Sequence, residues 1–267
     1  MKNLINYLKK LSNKQFFWLM IFEMYFAVIL TSIVGILAIS FDYKPILGNM
    51  LYVLMVLIAF VSIFLLKATD FAIISLLNDD LNIEKFIAFV NTGYRVVKSN
   101  PFLKNAKSNY LFLLVKSLAF QGQFEASLKK LDEIHLEHVF KKFRPNMIVD
   151  ILCLKLLCKV HLNTDVDLDS FRSRITEFAE WGEKDNLIQT NLAIYDLIYL
   201  KKPNPYFKTV KNGNSKLENL VRHYYSGINS LLTNDFESLE YHFTVISKYD
   251  ERLFMVREAR RWLVEMQ

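Results

Sequence analysis

Two long apolar runs near the N-terminus, residues 16–41 and 46–66, constrain the fold more than any other feature of the sequence. Each supplies roughly 20 residues, which at about 1.5 Å per residue is enough to span ~30 Å of hydrocarbon. A turn at 42–45, with the sequence DYKP, separates them. The first run is too long for a cleavable signal peptide and lacks a small-residue cleavage site. We therefore expect a transmembrane helical hairpin at 16–67.

Basic residues are distributed unevenly around the two runs. Four lysines precede the first run, the turn contains Lys44, and further Lys and Arg follow the second run. Cytoplasmic flanks of membrane spans carry the excess of basic residues. The sequence thus predicts a multi-pass protein of the cell membrane, with two spans and with both termini in the cytoplasm.

The leader at 1–15 is basic and amphipathic, because Leu4, Leu8 and Leu11 repeat at helical spacing. It is expected either to lie in the membrane interface or to be a solvated segment that sets the topology. Basic side chains here and in a later cluster, FKKFRP, are candidates for contact with lipid headgroups or an acidic protein, or for a solvated helix face. These residues are Lys9, Lys10, Lys14, Lys141, Lys142 and Arg144. Single-stranded nucleic acid is a further alternative for the FKKFRP cluster, because aromatic residues alternate with basic ones there.

Glu23 is the single carboxylate inside the first apolar run. A charge below the membrane surface is costly, so such a residue needs a partner or a place at the boundary. In a tight hairpin the end of the second run lies beside it, and Lys67 is the expected partner. A role in sensing a partner or in transport is the alternative.

Residues 68–267 have apolar residues at helical spacing, which predicts an all-α cytoplasmic domain. Breaks in this pattern are spaced by about 40 residues over most of the region, and this is typical of an α-solenoid of stacked helix pairs. The breaks fall at 78–82, 122–123, 163–169, 201–205 and 233–235.

The clearest helix pair is predicted at 109–134. Leu and Phe repeat at helical spacing in its first half, and the sequence QGQF then interrupts the pattern. Gly122 lies in this turn, Phe124 follows two residues later, and Ser127 follows after three more.

A second pair, at 223–243, has Asn234 in the turn, Phe236 two residues later, and Gly227 seven residues before the turn. With these spacings the sequence resembles the tetratricopeptide repeat family, although Val115 and Leu239 replace small residues of the pattern. The resemblance implies a helix-pair solenoid that binds peptide or protein partners. Side chains from the first helix of each pair would line its groove: Asn109, Phe112, Lys116, Asn191, Tyr195, Arg222, Tyr225 and Asn229.

No nucleotide-binding or nucleophile motif occurs in the sequence, and no metal-site pattern is complete. His135 and His138 lack further ligands nearby. The Asp165–Asp169 stretch lacks the Gly and Glu of a calcium loop and is expected to start a helix. Cys153 and Cys158 lie in an apolar run, as buried reduced cysteines do. We expect neither catalysis, nor a metal, nor a cofactor.

The net charge of +6 is weak evidence for nucleic acid, because basic residues of a membrane protein also contact anionic lipid. The sequence therefore predicts a membrane-anchored adaptor or scaffold that presents a cytoplasmic groove to peptide or protein partners. The alternative is an accessory subunit of a transporter or envelope-synthesis complex. In that case the hairpin packs against another integral membrane protein.

Overall fold

The structure, a computed structural model, describes residues 1–40, 45–98, 103–139, 141, 143–178, 185–208 and 213–266. These residues form α-helices and two short 3₁₀ helices (Leu136–His138 and Pro205–Phe207), and no strand occurs among them. The all-α prediction is confirmed. The helices are α1 (Lys2–Lys10), α2 (Asn13–Ser40), α3 (Pro45–Asn78), α4 (Ile83–Lys98), α5 (Lys104–Phe120), α6 (Phe124–Leu131), α7 (Arg144–His161), α8 (Leu168–Phe178), α9 (Asp185–Ile198), α10 (Lys216–Leu232), α11 (Phe236–Ser247) and α12 (Phe254–Glu265).

Five helix ends share one backbone conformation, in which a single residue takes a positive φ. In three of them the next amide donates to a carbonyl five residues earlier, as Gln123 does to Leu118 at 2.9 Å. This is the bond that closes a Schellman motif and ends a helix. Each predicted break contains one of these positive-φ residues, which are Leu81, Gly122, Asn163, Lys201 and Asn234.

Helices α5–α6 and α10–α11 form the two helix pairs that the sequence predicts. In the first pair, the buried Ser127 hydroxyl donates to the carbonyl of Val115 at 3.1 Å. In the second, a Cβ on Gly227 would clash with the ring of Phe243, so only a glycine allows the two helices to approach this closely. The arrangement is compatible with a helical-repeat solenoid.

Helix α3 is about 50 Å long at the usual rise per residue, which exceeds the thickness of the hydrocarbon core. Its stretch Asn49–Asn78 is long and apolar enough to cross a membrane, and within the described residues it is the only such helix. Only 6% of its apolar window is buried inside the protein, whereas the core helix of a soluble protein would be mostly buried. The hairpin of two spans is not confirmed.

The C-terminal part of α3 belongs to the helical domain. Ala72, Ile73 and Leu76 are buried there among residues of the following helices. The predicted boundary at residue 67 therefore lies inside one continuous helix. This helix contains both the candidate span and the first residues of the helical domain. The turn residues 42–44 lie outside the described residues.

Helix α2 begins at a capping box, in which Ser12 and Gln15 each accept a hydrogen bond from the other's backbone amide. The helix packs along α3 and reaches α4, where Phe16 stacks on Phe89 with 4.1 Å between ring centroids.

The leader helix α1 packs against α3. Leu8 and Leu11 are buried, and Lys9 forms an ion pair with Asp80 at 2.7 Å and a hydrogen bond with Ser75. The leader is therefore part of the helical core, whereas the sequence favoured an interfacial or solvated segment.

Helix α12 closes the domain by packing its first turn into the middle of the structure. The ring of Phe254 contacts those of Phe124 and His161, with centroids 5.2 and 5.0 Å away. The imidazole of His161 also shares a 2.7 Å hydrogen bond with the hydroxyl of Tyr225. Just before α12, Arg252 pairs with Glu84 on α4 at 2.7 Å. The C-terminal helix thus holds elements that are far apart in the sequence.

We predict that acidification destabilises this closed arrangement. Burial, which is the larger cause, and the charge of Lys201 together lower the pKa of His161 from 6.5 to about 4. Because the unfolded chain binds this proton more readily, stability falls as the pH drops from 6.5 towards 4, by on the order of 2 kcal/mol. The thermal midpoint of His161→Gln should therefore change less with pH than that of the wild type. His135→Gln, at an exposed site, is the control. Equal pH dependence in all three proteins would contradict the prediction.

We predict that Lys201→Gly stabilises the protein by about 1 kcal/mol, because glycine adopts the positive φ of 53° without a Cβ clash. Lys202→Gly is the matched control, since Lys202 is also exposed but is not among the positive-φ residues. The measurement is the unfolding midpoint in detergent. A gain at position 202 that equals the gain at 201 would show that the backbone argument is wrong.

Candidate functional site

Three cavities adjoin one another along helix α5. The boundary cavity, about 340 Å³, lies between α2, α3, α4 and α5 and is lined by Met20, Glu23, Ser62, Leu66, Thr69, Asp70, Val96, Val97, Leu103, Asn105, Ala106, Asn109 and Tyr110. The central cavity, about 290 Å³, is lined by Asp70, Ile74, Leu77, Asn78, Phe86, Asn109, Phe112, Leu113, Lys116, Met147 and Asp150. The distal cavity, about 150 Å³, is lined by Phe112, Lys116, Phe120, Asp150, Cys153, Leu154, Leu157, Leu187 and Asn191.

Neighbouring cavities share side chains, so together they form one groove. Asp70 and Asn109 line both the boundary and the central cavities. Phe112, Lys116 and Asp150 line both the central and the distal cavities. The groove therefore runs from α2 and α3 along α5 and α7 to α9.

Four of the eight predicted groove residues line this groove. Asn109, Phe112 and Lys116 are spaced by three and four residues, which places them along one face of α5. Asn191 enters from α9, where its amide donates to the carbonyl of Leu187 at 2.9 Å.

The other four predicted residues lie elsewhere. Tyr195 is one turn beyond Asn191 and stacks on Tyr199 with 5.2 Å between centroids. Tyr225 is 1% exposed and bonded to His161, and Asn229 is buried and accepts from the amide of Asn204.

Arg222 pairs with Glu218 at 3.0 Å, away from the groove. Contact between Gly227 and Phe243 sets the rotation of α10. The residues near Gly227 therefore face the core. The prediction assumed that α10 presents the same positions of the repeat to the groove as α5 does, and this assumption is wrong.

Two acidic residues of the groove were missed by the sequence analysis. Asp70 lies near the end of α3, and Asp150 lies on the face of α7 that meets α5. Lys116 is the basic residue between them, with its ammonium 5.8 Å from the ring centroid of Phe120. Asp70 interrupts an apolar run, which was the signal available in the sequence.

Glu23 is bonded to Thr69 and not to Lys67. The Thr69 hydroxyl donates to Oε1 of Glu23 at 2.7 Å, and both residues are buried, whereas Lys67 is exposed. Residues two apart on a helix point about 200° apart, so a helix that turns Thr69 towards α2 turns Lys67 away from it. The predicted pair is wrong for this reason, although the predicted neighbourhood is correct.

Tyr110 lines the boundary cavity and is buried in the hydrophobic core. Its hydroxyl donates to the sulfur of Met20 at 3.4 Å. Burial raises the pKa of this hydroxyl well above its ordinary value, and the negative charges of Asp70 and Glu23 raise it further. Tyr110 therefore remains a neutral hydrogen-bond donor at physiological pH.

Most of the predicted membrane-surface residues can be placed. Lys10, Lys14 and Lys141 are exposed. Lys9 is held by Asp80, and Arg144 donates to the carbonyls of Glu137 and Val139 at 3.3 and 3.2 Å. The side chains of Lys9 and Arg144 therefore make contacts within the protein. Lys142 lies outside the described residues.

The described part of the chain contains no group of three or more His, Cys, Asp or Glu that could hold a metal ion. His138 belongs to a short 3₁₀ helix, and His135 is the residue just before that helix. Asp167 caps α8 by accepting from the amide of Ser170 at 2.8 Å, as the helix-start interpretation predicted. Cys153 and Cys158 are both buried free thiols.

Comparison with protein-family models, curated proteins and solved structures gave no match.

We predict that Thr69→Val destabilises the protein by about 1–3 kcal/mol, because it removes the hydrogen bond to a buried carboxylate while keeping the side-chain volume. Thr69→Ser retains the donor and should remain close to the wild type. The double variant Glu23→Leu/Thr69→Val should recover part of the loss. Unfolding midpoints in detergent measure all three, and equal midpoints for the Val and Ser variants would contradict this role of the hydroxyl.

Proposed function

We propose that the protein is anchored in the membrane by both α2 and α3 and presents its helical domain to partners in the cytoplasm. Both helices expose large apolar side chains, for example Ile36 at 65% and Phe60 at 69%. Soluble monomers rarely expose apolar surface of this extent, whereas a lipid bilayer would cover it. The N-terminal end of α2 and the C-terminal end of α3 both pack on the helical domain, so two crossings leave that domain on one side.

The lysines before α2 support a cytoplasmic location for this side. Lys10 and Lys14 are exposed beside the membrane helices and are available to anionic headgroups. Both termini of the chain would then be cytoplasmic, as the distribution of basic residues predicts.

The groove is the observation that supports a binding function best. It combines apolar side chains such as Phe112 and Met147 with the charges of Asp70, Lys116 and Asp150. Peptide-binding grooves typically combine apolar pockets with a few polar groups that fix orientation. We propose that a short peptide segment with an apolar anchor binds along α5, with its anchor against Phe112.

The tetratricopeptide-like character of the domain belongs to this proposal. Support comes from Gly122 and Asn234 in positive-φ turns and from the close approach at Gly227. In a solenoid of this kind the concave face binds the partner, and here that face would contain α5 and α7.

Site-specific photocrosslinking in intact cells tests the binding function. A benzophenone amino acid at Phe112 should capture a cytoplasmic protein or peptide, because this side chain lines two of the cavities. The same probe at Tyr241, which is 61% exposed on α11, is the control. Lys116→Glu should weaken capture at Phe112, while Lys129→Glu on the exposed face of α6 should not. Identical adducts from Phe112 and Tyr241 would argue against the groove.

A role as an accessory subunit remains the second candidate, favoured by the polar pair Glu23–Thr69 buried beside the membrane helices. An anchor alone needs no such pair. Replacement of residues 24–66 by an unrelated apolar hairpin would leave the Phe112 adducts unchanged if the hairpin only anchors the domain, and would abolish them if it selects a membrane partner.

A further inference from the structure

The boundary cavity contains an unsatisfied acceptor that the groove does not explain. Glu23 is 6% exposed, its Oε1 accepts from Thr69, and its Oε2 is buried without a hydrogen-bond partner. A buried carboxylate stays ionised only when donors or an opposite charge compensate for its lost hydration. The single hydrogen bond from Thr69 leaves Oε2 without any such compensation.

The surroundings of this carboxylate are acidic. Asp70 lines the same cavity, and the described lining residues include no Lys, Arg or His. The hydroxyl of Tyr110 donates its hydrogen bond to the sulfur of Met20 and not to either carboxylate. The cavity therefore offers two carboxylate acceptors and no cationic side chain among its lining residues, so a cation from outside the chain could pair with them.

The size and lining of the cavity favour an organic cation over a metal ion. Its volume of about 340 Å³ exceeds what a bare ion with its ligands needs, and Leu66, Val96, Val97 and Leu103 supply hydrocarbon walls. The described residues provide no three-ligand metal cluster. An ammonium group attached to a short aliphatic body fits both the acceptors and the walls.

The position of the cavity indicates where such a group would come from. Ser62 and Leu66 belong to the candidate span, while Asn105 and Asn109 belong to α5 of the helical domain. With α3 in the membrane, as proposed above, the cavity lies where the span enters the domain, at the level of the lipid headgroups.

We propose that the boundary cavity binds a primary ammonium group, with Oε2 of Glu23 and the carboxylate of Asp70 as acceptors. The ammonium belongs either to the ethanolamine headgroup of a phospholipid or to a free alkylamine. Binding pairs the buried charge and braces α2 and α3 against α5. The proposal does not require a peptide in the groove.

The first experiment uses the full chain in lipid nanodiscs. One set contains phosphatidylcholine and phosphatidylglycerol, and in the other phosphatidylethanolamine replaces part of the phosphatidylcholine. Phosphatidylethanolamine should raise the thermal midpoint and be retained in native mass spectra. Phosphatidylcholine should do neither, because its quaternary ammonium has no N–H to donate.

The second experiment adds butylammonium chloride to nanodiscs without phosphatidylethanolamine, with butyltrimethylammonium as the matched control. Stabilisation by butylammonium supports a site open to free amines, and stabilisation by phosphatidylethanolamine alone assigns the site to the headgroup. If neither primary amine stabilises the wild type more than its methylated counterpart, the proposal is overturned, and this comparison needs no variant.

Variants test the assignment of the two acceptors. Glu23→Gln and Asp70→Asn should each weaken primary-amine binding by about tenfold or more, whereas Glu125→Gln, exposed on α6, should leave it unchanged. Undiminished binding in both acceptor variants would contradict the proposed site. Photocrosslinking at Phe112 reports on the peptide groove separately, so loss of amine binding with intact crosslinking affects this proposal alone.

Discussion

One continuous helix, α3, combines an exposed apolar stretch with an end that is buried in the helical domain, and the rest of the structure depends on this constraint. Its apolar middle is uncovered by protein, while Ala72, Ile73 and Leu76 near its end are buried in the helical domain. A helix satisfies its own backbone hydrogen bonds, so it can pass from lipid into protein without a break. Because α1, α2 and α4 all pack on it, and because its own residues line the groove, α3 connects the exposed apolar region with the candidate site.

The local features of the fold could be predicted from the sequence, because they depend on residues that are close together in it. The five breaks mark helix ends where Gly122, Asn163 and similar residues adopt positive φ. Closure of the domain could not be predicted in this way. It depends on contacts such as Phe124–Phe254 and Glu84–Arg252, which join residues more than a hundred positions apart and leave no periodic signal.

The same distinction applies to the candidate site. The spacing of Asn109, Phe112 and Lys116 placed them correctly on one face, because helical geometry alone decides this. Arg222 was misplaced because the rotation of α10 depends on packing against α11. For Glu23, the sequence located the neighbourhood but could not show that α3 directs Thr69 inward. Asp150 was not identified, because an acidic residue on an amphipathic helix gives no sign of the cavity that it lines.

The central claim is that α3 crosses the bilayer and continues into the helical domain. It is tested most directly by nitroxide labels placed one at a time at Val53, Phe60, Lys67 and Ile74 in liposomes, with collisions measured for oxygen and for a water-soluble nickel chelate. The account predicts that oxygen dominates at Val53 and Phe60, which are exposed on the span, and that its advantage declines through Lys67 to Ile74, which lines the groove. Equal access of the nickel chelate to all four positions would contradict it.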